Sequence, residues 1–214
     1  MNTQAVKPVL ITGGTGGLGP AVVQRLLPEY CCLVTYRSER EWAALQRDIG
    51  ANERLHGMPV DLIDAAALAQ LAADIRNQHG PVYGVVQLAG GFSGGSVEET
   101  TPDDWHDLFN RNLNSTFLVL RTFLPQIKER GAGRIIATSS AAMLNRPAGL
   151  AAYNVSKAGV GVLIESLAHE LKNSRITANA LLPGSMATPT MLQQMSREKL
   201  VPLEYVANVI AFLL

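Results

Sequence analysis

The stretch PVLITGGTGGLG, residues 8–19, joins a short apolar run to a glycine-rich turn. Residues 8–12 predict a buried strand, and a helix is predicted to follow from about Pro20 to Leu27. Glycines at such a turn let the backbone approach a pyrophosphate, while the helix N-terminus offers free N–H groups and a partial positive charge. The stretch therefore predicts a dinucleotide-binding βα unit, with a flexible turn that binds nothing as the alternative.

The rest of the chain alternates short apolar runs with longer amphipathic ones, as the βα units of a parallel sheet do. Ser38 and Glu41 form a capping box at the start of the second predicted helix. Further strands are predicted at 31–36, 54–60, 82–88, 134–138 and 175–182, and helices at 38–49, 64–78, 101–129 and 152–173. The predicted fold class is α/β: a doubly wound, Rossmann-like parallel sheet with helices on both faces, in a single domain.

Composition narrows the classes of partner. The chain has 214 residues, 47% of them hydrophobic, and its formal net charge is zero, so neither a disordered chain nor a nucleic-acid binder is expected. No apolar run approaches the ~20 residues of a membrane span, and no membrane partner is expected. The only two cysteines, Cys31 and Cys32, are adjacent and fit a reducing compartment, which predicts a cytoplasmic protein.

A tyrosine and a lysine four residues apart are the first candidates for chemistry. Tyr153 and Lys157 lie one turn apart on one face of the predicted helix over residues 152–173. An ammonium beside a phenol stabilises the phenolate, so such a pair can give or take a proton at a carbonyl or alcohol oxygen. The alternative is a half-buried tyrosine beside a solvated lysine.

Several spaced motifs occur together with this pair. Ser140 lies thirteen residues before Tyr153, and Asn112 lies twenty-eight residues before Ser140. Other motifs are Thr12-Gly13 with Gly17 and Gly19, Asp61-Leu62, Leu88-Ala89-Gly90, and Pro183-Gly184 with Thr188. In this combination the sequence resembles the short-chain dehydrogenase/reductase family, from Val9 to Leu214.

The resemblance implies an enzyme that transfers hydride between a nicotinamide and a small carbonyl or alcohol substrate. Tyr153 is implied as general acid or base, and Lys157 as the group that lowers its pKa and holds the nicotinamide ribose. Ser140 is implied to bind the substrate oxygen, and Asn112, in a kinked helix, to hold a water that leads to Lys157. Thr12 is implied to tie the first strand to the turn near Ala89.

The family's cofactor contacts map onto a larger set of positions. They are Gly13, Thr15, Gly16, Gly17, Leu18, Arg37, Ser38, Asp61, Leu62, Leu88, Ala89, Gly90, Tyr153, Lys157, Pro183, Gly184, Met186 and Thr188. The resemblance also implies a homotetramer or homodimer that packs through the helices over 101–129 and 152–173.

The end of the second strand indicates which nicotinamide cofactor is used. Tyr36 stands where a NAD site usually carries an acidic residue, and Arg37 follows it. An arginine pairs bidentately with a 2′-phosphate, which a carboxylate would repel. We therefore expect NADP(H) rather than NAD, with Arg37 and Ser38 on the phosphate. The alternative is that Arg37 is a solvated charge, and Glu39 and Glu41 lie close by.

Two departures keep a second function open. Gln87-Leu88 replaces the family's usual pair of asparagines, and this change is expected to remove a hydrogen-bonding brace between strands. The run over residues 90–95 predicts a mobile loop in which Phe92 packs or caps the pocket. The alternative function is a nucleotide-binding regulatory protein with poor turnover. No metal is expected, because His56, His79, His106 and His169 lack metal-ligand spacing.

The apolar C-terminal residues, 205–214, predict a helix. In the resembled family such a helix precedes a seventh parallel strand, which this sequence does not contain. Without that strand the sixth would be an exposed edge, which native proteins rarely leave bare. We expect the natural chain to continue beyond Leu214, so that residues 1–214 are a C-terminally truncated domain.

Overall fold

A computed structural model describes residues 6–214 of the chain. The strands in this part lie side by side in one sheet. They are β1 (Lys7–Thr12), β2 (Tyr30–Tyr36), β3 (Leu55–Pro59), β4 (Gly84–Gln87), β5 (Ala132–Thr138) and β6 (Arg175–Leu181). They form one sheet in the order β3-β2-β1-β4-β5-β6, and every neighbouring pair is parallel. This order confirms the predicted parallel sheet. The strand order reverses after β3: β2 and β3 extend the sheet on one side of β1, and β4, β5 and β6 extend it on the other.

The helices cover both faces of the sheet. They are α1 (Gly19–Leu26), α2 (Glu39–Ile49), α3 (Ala65–His79), α4 (Pro102–Phe109), α5 (Ser115–Glu129), α6 (Ala142–Asn145), α7 (Ala151–Glu170), α8 (Pro189–Leu192) and α9 (Leu203–Leu213). None of the helices within residues 6–214 is both long and apolar enough to span a bilayer.

Each face of the sheet has its own hydrophobic core. Helices α3, α5 and α7 cover one face with Leu68, Ile75, Phe123, Ile127, Val160 and Ile164. Helices α1, α2 and α9 cover the other with Val22, Leu26, Trp42 and Ile210. Alternate residues of one strand serve opposite faces: Leu10 belongs to the first core, and Val9 and Ile11 to the second. The sheet is therefore doubly wound, as predicted.

Side-chain caps mark where the helices begin. The hydroxyl of Ser38 accepts the N–H of Glu41 at 3.4 Å, so α2 begins at the predicted capping box. The carboxylate of Asp64 accepts the N–H groups of Ala66 and Ala67 at 2.9 and 3.0 Å at the start of α3.

The helix predicted over 101–129 contains a break. A π-helical turn over Asn110–Asn114 separates α4 from α5. The hydroxyl of Thr116 donates to the carbonyl of Asn112 at 2.6 Å, and that of Ser115 donates to the carbonyl of Arg111. The wider turn places Asn112 on the inner side of the helix, where its side chain is fully buried.

The C-terminal residues form the predicted helix, α9, which packs against α1. The hydroxyl of Tyr83 donates to the backbone carbonyl of Leu214 at 2.9 Å in a buried contact. Strand β6 lies at the edge of the described sheet, and the expected seventh strand stays a prediction.

A substitution at Gly19, the first residue of α1, tests how closely the glycine-rich turn is packed. A Cβ there would overlap the backbone carbonyl of Gly14. We expect Gly19→Ala to lower the free energy of unfolding by about 1–3 kcal/mol, because backbone has to move to admit the methyl group. Urea unfolding followed by circular dichroism measures the change.

Gly184→Ala is the matched control. A Cβ at Gly184 meets only Val201 Cγ2, at an ordinary contact distance of 3.8 Å, so we expect no loss of stability. Equal losses in the two variants would contradict the steric argument.

Candidate active site

A cleft opens at the carboxyl ends of β1 and β4, the neighbouring strands between which the strand order reverses. It consists of two adjoining cavities of about 290 and 330 Å³, which we call the inner and the outer cavity. Both are lined by Gly13, Gly16, Ala89 and Gly90. Ligands of open α/β sheets bind at this switch point, so the cleft is the candidate site.

The glycine-rich turn forms the floor shared by the two cavities. Gly13 has a left-handed backbone with φ of 64°, and a Cβ there would lie 2.7 Å from the Cα and N of Ala89. A Cβ at Gly17 would lie 2.8 Å from Cγ2 of Thr188, so the turn also packs against the segment after β6. The turn thus presents backbone rather than side chains at the start of α1.

The hydroxyl of Thr12 holds this turn to β4. It donates to Oε1 of Gln87 at 2.7 Å and accepts the N–H of Ala89 at 3.2 Å, which confirms the expected tie to Ala89. The expected loss of the brace at Gln87 is wrong, because the longer glutamine amide reaches Thr12. Nε2 of Gln87 is buried without a hydrogen-bond partner among residues 6–214.

The predicted groups Ser140, Tyr153 and Lys157 meet in the inner cavity. Lys157 is only 6% exposed, and its Nζ donates to the carbonyl of Thr138 at 3.0 Å. Burial lowers the pKa of Lys157 from 10.5 to about 8. The inner cavity therefore contains an ammonium group whose charge is lost at mildly alkaline pH.

Ser140 and Tyr153 reach the cavity from different elements. Ser140 follows β5, and its hydroxyl accepts the N–H of Ala142 at 3.2 Å. An oxygen that accepts there keeps its own O–H free to donate into the cavity. Tyr153 lies in the first turn of α7, and the ring of Phe92 meets it edge-on with centroids 5.0 Å apart. Phe92 is 66% exposed and stands at the mouth of the cavity.

Asn112 lines neither cavity, but it contacts Gly91, which lines the inner cavity. Its Oδ1 accepts the N–H of Gly91 at 2.7 Å, while its Nδ2 donates to the carbonyl of Gly91 and to Oγ of Ser156 at 3.2 and 2.9 Å. A Cβ at Gly90 would lie 2.8 Å from this Oδ1 and 3.1 Å from Nζ of Lys157. Asn112 therefore positions the backbone beside Lys157, a role that sequence reasoning did not identify.

The loop over residues 90–95 is attached at both ends. Asn112 holds Gly91, and at the other end Gly95 donates to the carbonyl of Gly149 at 2.7 Å and accepts the N–H of Ala151 at 3.1 Å. The free part of the loop is the short span that carries Phe92.

The inner cavity is also lined by further predicted cofactor residues, Gly17, Leu18, Leu88, Pro183, Gly184, Met186 and Thr188, and four others line the outer cavity. Arg37 lines it with Thr15, Asp61 and Leu62, and the Arg37 side chain is exposed and forms no ion pair with the described residues. Ser38 lines neither cavity, since its hydroxyl caps α2.

Three charged residues in the outer cavity were not predicted as cofactor contacts. Arg111 forms an ion pair with Asp107, and both residues line the cavity. Glu41 also lines it and accepts from the hydroxyl of Thr15 at 3.4 Å. Arg111 is adjacent to Asn112 in the sequence, and that adjacency was the one available signal.

A backbone cradle at the switch point of a doubly wound sheet defines a dinucleotide-binding α/β protein. A comparison with family models agrees: residues 7–199 match the short chain dehydrogenase family. The chain belongs to this family and is an oxidoreductase.

Named relatives cover most of the chain. An acetoacetyl-CoA reductase of Synechocystis is 34% identical over 97% of this chain and 88% of its own. An NADP-dependent (R)-specific alcohol dehydrogenase of Lentilactobacillus kefiri is 30% identical over 86% of this chain and 74% of its own. A solved structure of a variant actinorhodin polyketide ketoreductase with NADPH superposes with a TM-score of 0.89 and 28% identity, covering 100% of this chain and 92% of that one.

The buried ammonium of Lys157 predicts a dependence of stability on pH. The unfolded lysine keeps its proton up to about 10.5, whereas the folded one loses it near 8. Between these values the unfolded chain binds more protons, so the free energy of unfolding rises with pH, by about 3 kcal/mol in total. Below about pH 8 the folded lysine is protonated, and the folded protein bears the full free-energy cost of burying this charge.

Lys157→Met removes this titration. We expect the free energy of unfolding of the wild-type protein, relative to that of the variant, to increase as the pH rises above about 8. Chemical unfolding across that range measures it, with the exposed Lys172→Met as control. A difference between wild-type and Lys157→Met that stays constant with pH would show that the ammonium is not buried.

Proposed function

We propose that this oxidoreductase transfers hydride between NADP(H) and a carbonyl or secondary alcohol. The observation that carries the proposal is the convergence of Ser140, Tyr153 and Lys157 in the inner cavity, which continues from the glycine-rich turn. The names of the relatives support it, since they include reductases of carbonyl compounds, an NADP-dependent enzyme and a structure with NADPH.

The residues of the cleft fit a dinucleotide. At Gly13 and Gly17 a side chain would overlap Ala89 and Thr188, so these positions carry only backbone for an approaching pyrophosphate to meet. The inner cavity, with Pro183, Gly184 and Met186 on its wall, would receive the nicotinamide ribose and ring, and the outer one the adenosine. When bound as the reduced form, the cofactor supplies the hydride.

The protein's part in reduction is the delivery of a proton to the substrate oxygen. The O–H of Ser140 donates a hydrogen bond to the carbonyl oxygen and orients it. The phenol of Tyr153 donates the proton that turns the reduced carbonyl into an alcohol, and the resulting phenolate is stabilised by the ammonium of Lys157. In oxidation the phenolate takes the proton back.

Lys157 serves this step because it is held in place and stays charged at neutral pH. Its contact with the carbonyl of Thr138 directs the ammonium into the inner cavity, where low exposure strengthens its effect on a nearby oxyanion. Above about pH 8 the ammonium loses its charge, and this stabilisation of the phenolate is lost with it.

Tyr153→Phe tests the proton transfer. We expect kcat for carbonyl reduction to fall by about 100- to 10,000-fold while the Kd for NADPH is unchanged, because only the donor O–H is lost. Stopped-flow turnover and NADPH fluorescence titration measure the two quantities. Tyr205→Phe is the control, since Tyr205 is exposed on α9 and lines neither cavity. Full turnover by Tyr153→Phe would overturn the mechanism.

Arg37 supports the choice of NADP(H), because its exposed guanidinium is available to pair with a 2′-phosphate. Arg111 is a second cation on the same cavity, while Glu41 opposes a phosphate there.

Arg37→Glu tests the cofactor preference. We expect the ratio of kcat/KM for NADPH to kcat/KM for NADH to fall by about 10- to 100-fold, because a charge-assisted hydrogen bond is replaced by repulsion. Arg40→Glu makes the same change of charge on α2, outside both cavities, and is expected to leave the ratio near the wild-type value. Equal effects of the two variants would contradict a specific role for Arg37.

A regulatory nucleotide-binding protein is the competing outcome. In that case wild-type protein would bind NADPH without reducing any member of a broad panel of aldehydes, ketones and quinones. The feature in its favour is Gln87-Leu88, which replaces the family's usual pair of asparagines; Nε2 of Gln87 has no partner in the described part of the chain.

Assembly into a homodimer or homotetramer is part of the proposal. Phe117 on α5 and Val155 and Val162 on α7 are exposed apolar side chains on the two helices expected to pair.

A further inference from the structure

Three metal-binding side chains meet at the end of the sheet opposite the cleft. Cys31 is the second residue of β2, His56 the second residue of β3, and His79 the last residue of α3. Tyr36, at the other end of β2, borders the outer cavity, and the strand rise puts it about 16 Å from Cys31. The cluster is therefore separate from the candidate active site.

Strand register explains why the three side chains converge. Leu33 pairs with His56, so their side chains leave the same face of the sheet. Cys31 lies two residues before Leu33, so its side chain leaves that face as well. Helix α3 covers this face, and its last turn brings His79 over the two strands. Cys32 belongs to the core on the opposite face.

The donor atoms are close enough to share an ion. One ligand atom from each of Cys31, His56 and His79 lies within 4.8 Å of the others, and the two imidazole rings have centroids 4.5 Å apart at a tilt of 53°. Around a tetrahedral Zn²⁺ the ligand atoms stand about 3.3–3.7 Å apart, from bond lengths of ~2.0–2.3 Å. All three side chains are half-buried, so small rotations of the rings close the difference while an ion can still enter.

We propose that Cys31, His56 and His79 bind a divalent transition-metal ion of the zinc type, with one coordination position left for water. A thiolate with two imidazoles is a donor set that Zn²⁺ and Co²⁺ accept, and hard cations such as Mg²⁺ do not.

The surroundings favour the neutral ligand form of His79 and disfavour the thiolate form of Cys31, so the geometry of the three donor atoms carries the proposal. Burial, and then the proximity of His56, lower the pKa of His79, which keeps its imidazole neutral. Burial raises the pKa of the Cys31 thiol, and the guanidinium of Arg54 opposes that rise. Nη1 of Arg54 also donates to the carbonyl of Pro28 at 2.7 Å.

A metal here would join three elements that are far apart in the sequence. The ligands come from β2, β3 and α3, and an ion that binds only the folded chain raises its stability. The proposed role is therefore a structural clamp at the amino ends of the strands, independent of the reaction in the cleft.

Co²⁺ is the probe for the experiment. Untagged full-length protein, stripped with a chelator and kept reduced, is titrated with Co²⁺ alone. We expect one equivalent to produce a thiolate-to-cobalt charge-transfer band with the visible bands of tetrahedral coordination, and Zn²⁺ to displace it. Zn²⁺ should also raise the Tm of the wild-type protein.

Variants assign the ligands. We expect Cys31→Ser to abolish the charge-transfer band and His79→Asn to weaken Co²⁺ binding by at least about tenfold. His106→Gln and His169→Gln change exposed histidines on other helices and serve as controls that keep wild-type binding. Retention of the band in Cys31→Ser, or equal weakening in the controls, would overturn the assignment.

A measurement on wild-type protein covers the case in which a variant does not fold. One equivalent of Zn²⁺ should protect Cys31 from a thiol reagent, as read by mass spectrometry of peptides. Unprotected Cys31, or weak binding of Co²⁺ without a thiolate band, would show adventitious binding only and sink the proposal.

Discussion

The close approach of two backbones, at Gly13 and Ala89, is the constraint on which the cleft depends. Strands β1 and β4 pair directly, yet the chain leaves them in opposite directions, and a space opens only where they end. The turn after β1 has to pack on the segment after β4 at a distance that no side chain at Gly13 would allow. The same tightness recurs at Gly90, between Asn112 and Lys157, so the cradle and the inner cavity are parts of one packed arrangement.

The second constraint is electrostatic. Lys157 is buried with a single backbone carbonyl as its described hydrogen-bond partner, and burial without a paired carboxylate disfavours its charge. In the proposed function, this group costs stability in the folded protein at a position where a positive charge would stabilise a developing oxyanion. The low exposure that destabilises the ammonium is also what makes its field strong at short range.

Sequence reasoning was most successful where a local pattern has one physical meaning. The glycine-rich turn and the alternation of strands and helices predicted the parallel sheet, and the Tyr153–Lys157 spacing predicted one pair of residues in the inner cavity. Most other residues of that cavity were predicted from the family resemblance. It succeeded less where one residue has two uses: Ser38 was assigned to a phosphate and to a helix cap, and in the structure its hydroxyl makes the cap. Asn112 acts on the backbone of Gly91, a partner that leaves no side-chain pattern to detect. Cys31, His56 and His79 are brought together by strand register alone, which linear spacing does not reveal.

The anchoring of the loop over residues 90–95 has a consequence for what can enter the cleft. One end is hydrogen-bonded to Asn112, and the other to Gly149 and to Ala151 at the start of α7. Between these ends the exposed ring of Phe92 packs edge-on against Tyr153 in the inner cavity. In the proposed function a substrate would have to pass beside the Phe92 ring, so its shape near the reacting carbon would matter more than the length of the rest of the molecule.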